Sequence, residues 1–179
     1  MQQSEPPRFD ELLASARRSA IHLELRDGYA VPDEAADYQG WRETGERDVD
    51  PASPYWSPWV TMVQAATARG VAMRRVRVVS EPVSDYIRYE HAGTVVNVGA
   101  GEDVRWLPRD QAVGLLLPVV DGWIFDDEQL LLNHFDGDGR WADQRPMELR
   151  TDPALVRAYA AAVETLWDRA IPHDQYKIR

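Results

Sequence analysis

The spacing of apolar and polar residues predicts helices and strands in alternation. Phe9–Arg18 puts Phe9, Leu12, Leu13 and Ala16 on one helical face, with acids early and arginines late, the order that suits the helix dipole. Ile21–Leu25 alternates, with Ile21, Leu23 and Leu25 on one side, which predicts a strand and turns His22 away from the core as a surface histidine. Residues 26–54 carry many acids, glycines and prolines, with Tyr29, Tyr38 and Trp41 interleaved. They predict an irregular acidic excursion packed over the domain, and the first candidate for a lid or a partner-docking element. Trp56–Arg69 predicts a helix with Ser57 as N-cap, Pro58 at its first position and Gly70 beyond its end, and a buried stripe of Trp59, Val63 and Ala66.

Val71–Ser80 is the clearest strand, ending at Glu81-Pro82. A helix from Val83 to Gly93 or a little beyond follows, spaced by Tyr86, Ile87 and Glu90, and Gly99-Ala100-Gly101 breaks it. Val104–Leu107 reads as a short strand stopped by Pro108, and Asp110–Leu116 as a brief helix or turn. Val119–Asp126 and Gln129–Asp136 read as a hairpin joined at Asp126-Asp127-Glu128, with a turn at Asp136–Gly139. Asp152–Ala170 has a capping Asp152, Pro153 at the first position and an apolar stripe of Leu155, Tyr159, Val163, Leu166 and Trp167. The order implies an α/β fold, a mixed sheet with helices packed on it, in which the strands around 71–80 and 104–107 are parallel and helix-linked.

Composition narrows the functional classes. A length of 179 residues suits a single domain. The chain has no cysteine, which removes disulfides, cysteine zinc sites and thiol nucleophiles. The first twenty residues hold no apolar core of a signal peptide, and the longest apolar run, Ala112–Val120, is interrupted by Gly114 and Pro118. A cytoplasmic location and no membrane contact are the expectation. Of 20 basic residues only Lys177 is lysine, the bias of a GC-rich genome, which fits an actinobacterial source. A net charge of -10 argues against a broad nucleic-acid surface. Arg69, Arg74, Arg75 and Arg77 form the one basic cluster, either a solvated strand edge balanced by carboxylates or a site for a phosphate or nucleic acid.

Motifs for serine hydrolases, P-loops and dinucleotide sites are absent, and Asp136-x-Asp138-Gly139 fails as a calcium loop because its twelfth residue is Met147. No cofactor or metal is expected. Two groups of residues stand as candidates. Glu81, Asp85 and Arg88 lie where the strand meets the next helix, the end of a sheet strand where α/β domains place ligands, or they are plain capping and a helix pair. Asp121, Trp123, Asp126 and His134 share the hairpin, with Asp121 and Trp123 on one face. With Glu81 they could form an acid–base pocket, or they could be turn-forming residues of a surface hairpin.

Ala68-Arg69-Gly70-Val71, Val76–Val79, Asp103–Pro108 and Val119–Asp136 together resemble a phospholipase D-like half-domain. That family's signature is His-x-Lys, four residues, then Asp. At this spacing the chain has Val119, Asp121 and Asp126, so the nucleophile and the phosphate-holding lysine are missing. Active members need two half-domains, in tandem or by dimerisation, which leaves a homodimer open. Arg74–Glu90, Ala100–Arg109, Asp121–Glu128, His134–Gly139 and Pro172–Tyr176 also resemble an uncharacterised family of actinobacterial proteins. That resemblance implies a helix-turn-helix regulator as a protein partner. The expectation is therefore a non-catalytic binding or regulatory module. Arg74, Arg77, Glu81, Asp85, Arg88, Trp106, Asp121 and Trp123 are its candidate binding residues, and Trp41, Trp106 and Trp123 its exposed interface anchors.

Overall fold

The computed structural model describes residues 8–179; residues 1–7, counted above within the domain, lie outside the described residues. Its order is α1 Phe9–Ser15, β1 Ser19–Glu24, α2 Pro32–Thr44, α3 Ser57–Ala68, β2 Ala72–Val79, α4 Asp85–Ala100 and β3 Glu102–Pro108, then a 3-10 turn at Arg109–Ala112. β4 Asp121–Phe125, β5 Gln129–Asn133, β6 Met147–Arg150, α5 Pro153–Arg169 and β7 Ile171–Pro172 complete it.

One sheet collects all seven strands in the order β6-β5-β4-β1-β2-β3-β7. β1, β2 and β3 are parallel, as the helical crossovers require, and the outer strands are antiparallel. The mixed α/β sheet and the parallel pairing of β2 with β3 are as the sequence implies. α5 covers one face, its Val156, Tyr159, Val163 and Leu166 packing on Ile21, Leu23, Val76, Val78 and Ile124. The capping of α5 is as expected, with the Asp152 carboxylate accepting from Leu155 N at 2.8 Å. α1 and α3 cover the other face together with the second half of α4, on Ala20, Met73, Trp123 and Phe125.

Several boundaries differ. The excursion at 26–54 contains a regular helix, α2, because Pro32 fixes its first turn, Asp33 and Glu34 follow there, and Gly45 ends it in the left-handed conformation. Tyr38 and Trp41 of α2 lean on Tyr86 and Tyr89. The stretch after α2 is pinned by Arg47, which pairs with Asp37 and lies 4.0 Å above the Tyr89 ring and 4.9 Å above the Tyr55 and Trp56 rings. Ser57 is the first residue of α3 rather than its cap, and Trp56 holds the cap position. The strands β6 and β7 were not foreseen; β6 is half-exposed throughout and β7 has two residues, so neither carries a period.

α4 runs on through Gly93 and ends at Ala100, within the expected break at Gly99–Gly101. Gly93 stays helical and is needed for closeness: a Cβ there would meet Arg47 Nε and the Trp56 ring at 3.0 Å. Gly99, on the same helix, would meet nothing within 4 Å. Alanine raises helix propensity at both sites by up to about 1 kcal/mol. Gly99→Ala is therefore expected to be neutral or slightly stabilising. Gly93→Ala is expected to lose about 1–2 kcal/mol, because the caged Arg47 cannot step aside. Urea denaturation of the two variants measures the contrast.

Candidate functional site

Register builds the site. Parallel pairing aligns His22 with Arg75 and Glu24 with Arg77, and strand alternation puts all four on the face under α3 and α4. His22 is thus not a surface residue; its ring stacks on Trp123 with centroids 4.2 Å apart. Burial, only partly offset by Glu24, pushes it down to about 3, so the ring is neutral. Its Nδ1 lies 3.2 Å from Glu24 Oε1 without hydrogen-bond alignment.

The arginines form the centre of a buried ionic network. Arg75 donates to Glu102 Oε1 at 2.7 Å and to Glu24; Arg77 donates to Glu24, to Glu90 and, at 2.9 Å, to Thr94 Oγ1. Asn97 of α4 donates to Glu102 Oε2 at 2.9 Å. Burial alone would lower the Arg77 pKa, but Glu24 and Glu90 outweigh it and keep the guanidinium charged. The cluster at 69–77 is consequently no solvated edge, since β2 is a central strand. Arg74 faces the opposite side and pairs with Glu164, and Arg69 binds the carbonyls of Ala65 and Leu13.

A pocket of about 290 Å³ opens beside this network. Trp59, Trp123, Phe135 and Trp141 supply apolar walls, and α2 and the stretch before it add Tyr29, Val31 and Glu34. Asp121 accepts from Leu25 N at 3.0 Å and from the Tyr29 hydroxyl, and Glu34 accepts from the Tyr86 hydroxyl at 2.5 Å. Burial pushes Asp121 up to about 6, and burial with the nearby Glu90 pushes Glu34 up to about 7. Three buried polar atoms of lining residues have no hydrogen-bond partner among the described residues: His22 Nδ1, Trp59 Nε1, a donor, and Asn133 Oδ1, an acceptor. Such atoms are rare in protein cores.

The expected site residues part company. Of Glu81, Asp121, Asp126 and His134, only Asp121 reaches the pocket. Asp126 caps the start of β1, accepting from the backbone N–H groups of Arg17, Arg18 and Ser19 at 2.8, 2.7 and 2.9 Å. It occupies the left-handed region with Asp127, a conformation aspartate tolerates better than most residues. His134 binds Glu148, and Glu81 accepts from the Tyr176 hydroxyl. The four do not converge. Asp85 and Arg88 are exposed on α4 and outside the pocket lining. The expected interface anchors Trp106 and Trp123 are 0% and 5% exposed, core residues rather than surface ones, because alternation turns them under the helices. Trp41 is half-buried on α2. His22, Glu24, Tyr29, Glu34, Trp59 and Asn133 were missed. The polar alternation of Ile21–Leu25 beside the arginine alternation of β2 was the available signal.

The mixed α/β scaffold is phospholipase D-like in fold. Nuc, a phospholipase D family member from Salmonella typhimurium, superposes with a TM-score of 0.52 at 12% identity, covering 91% of this chain and 86% of that one. TrmBL2, an archaeal chromatin protein, is similar over 90% of this chain with a TM-score of 0.49 at 13% identity, and the chain spans 47% of its length. No curated protein matches the sequence. Residues 7–178 match a family described as a domain of unknown function, DUF6879, and the chain belongs to that family. Among the described residues no helix is long and apolar enough to cross a membrane, and no cluster of three or more His, Asp or Glu side chains could hold a metal ion.

Removing one partner of a buried ion pair strands the other, at about 3–5 kcal/mol. Arg77→Met is expected to lose that much in urea denaturation. Arg74→Met, which breaks a surface pair, is expected to stay within about 1 kcal/mol.

Asp121 and Glu34 stabilise the fold only while protonated. Below their ordinary values of 3.8 and 4.5 the folded and unfolded chains both hold the proton. As pH rises the unfolded chain ionises first, so this contribution declines until pH passes about 6 for Asp121 and about 7 for Glu34. Asp121→Asn removes one such decline; between roughly pH 4 and 6 it is expected to gain on the wild type by roughly 2–3 kcal/mol. Contributions from Glu24 and His22, of opposite sign, are common to both proteins and cancel in the difference.

Proposed function

We propose that this protein is a non-catalytic binding module that uses a phospholipase D-like fold to present a small-molecule pocket. The observation that carries the reading is the unsatisfied pair Trp59 Nε1 and Asn133 Oδ1 in a pocket walled by aromatic rings. A donor and an acceptor without partners among the residues of an aromatic-walled pocket suit a ligand that supplies their complements. Covalent phosphohistidine chemistry finds no support. Val119 stands at the nucleophile's place and is 96% exposed, while His22, in the pocket, is neutral and stacked flat on Trp123.

The partner reading adds a helix-turn-helix regulator that responds to the pocket. It rests on the family resemblance and is supported by the loop before β4, where Val113, Leu116 and Val119 are 78%, 88% and 96% exposed. A second functional reading is acid–base catalysis on the bound molecule, favoured by the two raised carboxyls that share the pocket, Asp121 and Glu34.

A thermal-shift screen of small molecules tests the module. Stabilising compounds are expected, and Trp141→Ala, on the pocket's rim loop, is expected to abolish their effect while leaving the unliganded melting point nearly unchanged. A screen in which no compound distinguishes wild type from Trp141→Ala overturns the pocket reading. Mass spectrometry of a bound compound after incubation separates the roles: unchanged compound supports a module, conversion supports the enzyme. Co-purification with the regulator, weakened by Leu116→Asp, tests the partner, and light scattering of the same sample reports a homodimer instead.

A further inference from the structure

The pocket's charges are unequal. Glu24, Glu34, Glu90 and Asp121 line it against Arg75 alone, and Arg75 is already shared by Glu24 and Glu102. Arg77, behind it, is likewise held by Glu24 and Glu90. Glu34 and Asp121 make no ion pair among the described residues and are held by tyrosine hydroxyls instead. No cationic side chain in the lining is left to receive an anion.

The rings point the same way. Arg75 sets its guanidinium 5.4 Å from the Trp59 ring centre and 5.7 Å from that of Trp123, so the protein already places a cation against the two rings that wall the pocket. Asn133, 8% exposed, lines the cavity with a carbonyl oxygen that lacks a donor. An ammonium group brings positive charge for the carboxylates, an N–H for Asn133 and an attraction to the ring faces, all at once.

We propose that the pocket binds a small organic cation, an ammonium carried on an apolar or aromatic body, between the tryptophan walls and the carboxylates of Glu34 and Asp121. The inference rests on the reading of this pocket as a ligand site. The cavity, at about 290 Å³, lies near the small end of ligand pockets and suits a compact amine rather than a peptide or polymer. Burial first, and the neighbouring glutamates second, raise the pKa of each carboxyl, and a bound ammonium would draw both acids into their charged forms.

Isothermal titration of the full chain at about pH 8, where both carboxyls are ionised, with three matched probes tests this. The probes are 2-phenylethylammonium, its neutral counterpart 2-phenylethanol, and 3-phenylpropionate. The ammonium is expected to bind about tenfold or more tightly than the alcohol, a gap of about 1.4 kcal/mol, and the carboxylate not to bind. Glu34→Gln and Asp121→Asn are each expected to narrow the gap several-fold, with folding checked by circular dichroism. The probe comparison on the wild type does not depend on either variant folding. Equal binding of alcohol and ammonium, or preference for the carboxylate, overturns the cation while leaving the pocket as a ligand site. Absence of binding by all three probes overturns the pocket reading with it.

Discussion

The buried pairing of two arginines with three glutamates between the sheet and α4 is the constraint on which the rest of the structure depends. Parallel strands covered on both faces are normally apolar on both. Here the face under the helices carries Glu24, Arg75, Arg77 and Glu102, and α4 brings Glu90, Thr94 and Asn97 down to meet them. A one-residue slip of β2 would turn both guanidinium groups onto the face of α5 and leave the glutamates unpaired. The network therefore fixes the register of β1, β2 and β3 together with the rotation of α4, in a way that an apolar face would not.

The same network shapes the pocket. Its arginines are used up within the sheet, so carboxyls added by neighbouring elements have no cation to meet. Glu34 from α2 and Asp121 from β4 reach the edge of the network and find tyrosine hydroxyls. Their raised pKa values are the cost of being acidic and buried beside a cluster that is already balanced. Arg47 plays a related part nearby. Its cation sits among three aromatic rings and ties the stretch after α2 to α4, which in turn steadies the helix that carries Glu34.

Much of the fold was legible because periodicity reports which side of an element is apolar. β1, β2, the hairpin and α5 all follow from it. What periodicity does not report is whether the other side meets water. Ile21–Leu25 and Val71–Ser80 read equally well as half-exposed strands, and His22, Arg75 and Arg77 accordingly read as surface residues. Only the parallel pairing, a long-range fact, sets His22 beside Arg75 and Glu24 beside Arg77 under α3 and α4. Trp106 and Trp123 were misplaced for the same reason. Asp121 was legible through its place in the hairpin, whereas Asp126 and His134 were drawn into the same site by nearness in sequence. Asp126 lies past the far end of β4 from Asp121, about 15 Å of extended chain away, and caps β1.

The resemblance to the phospholipase D signature acquires a physical meaning from this geometry. In this chain the position aligned with that family's lysine is Asp121, which lines the pocket, and the position aligned with its histidine is Val119, which stands in solvent. A carboxylate at a position where that signature has an ammonium gives the cleft a field of the opposite sign. Phosphate, which an ammonium would hold, is repelled by Asp121, Glu34 and Glu90 together, and the two arginines that could oppose them are committed to glutamates. The likeness to Nuc at 12% identity carries the fold and nothing of that chemistry. The scaffold places side chains from β1, β4 and β5 around one cavity, where four carboxyl side chains face a single arginine.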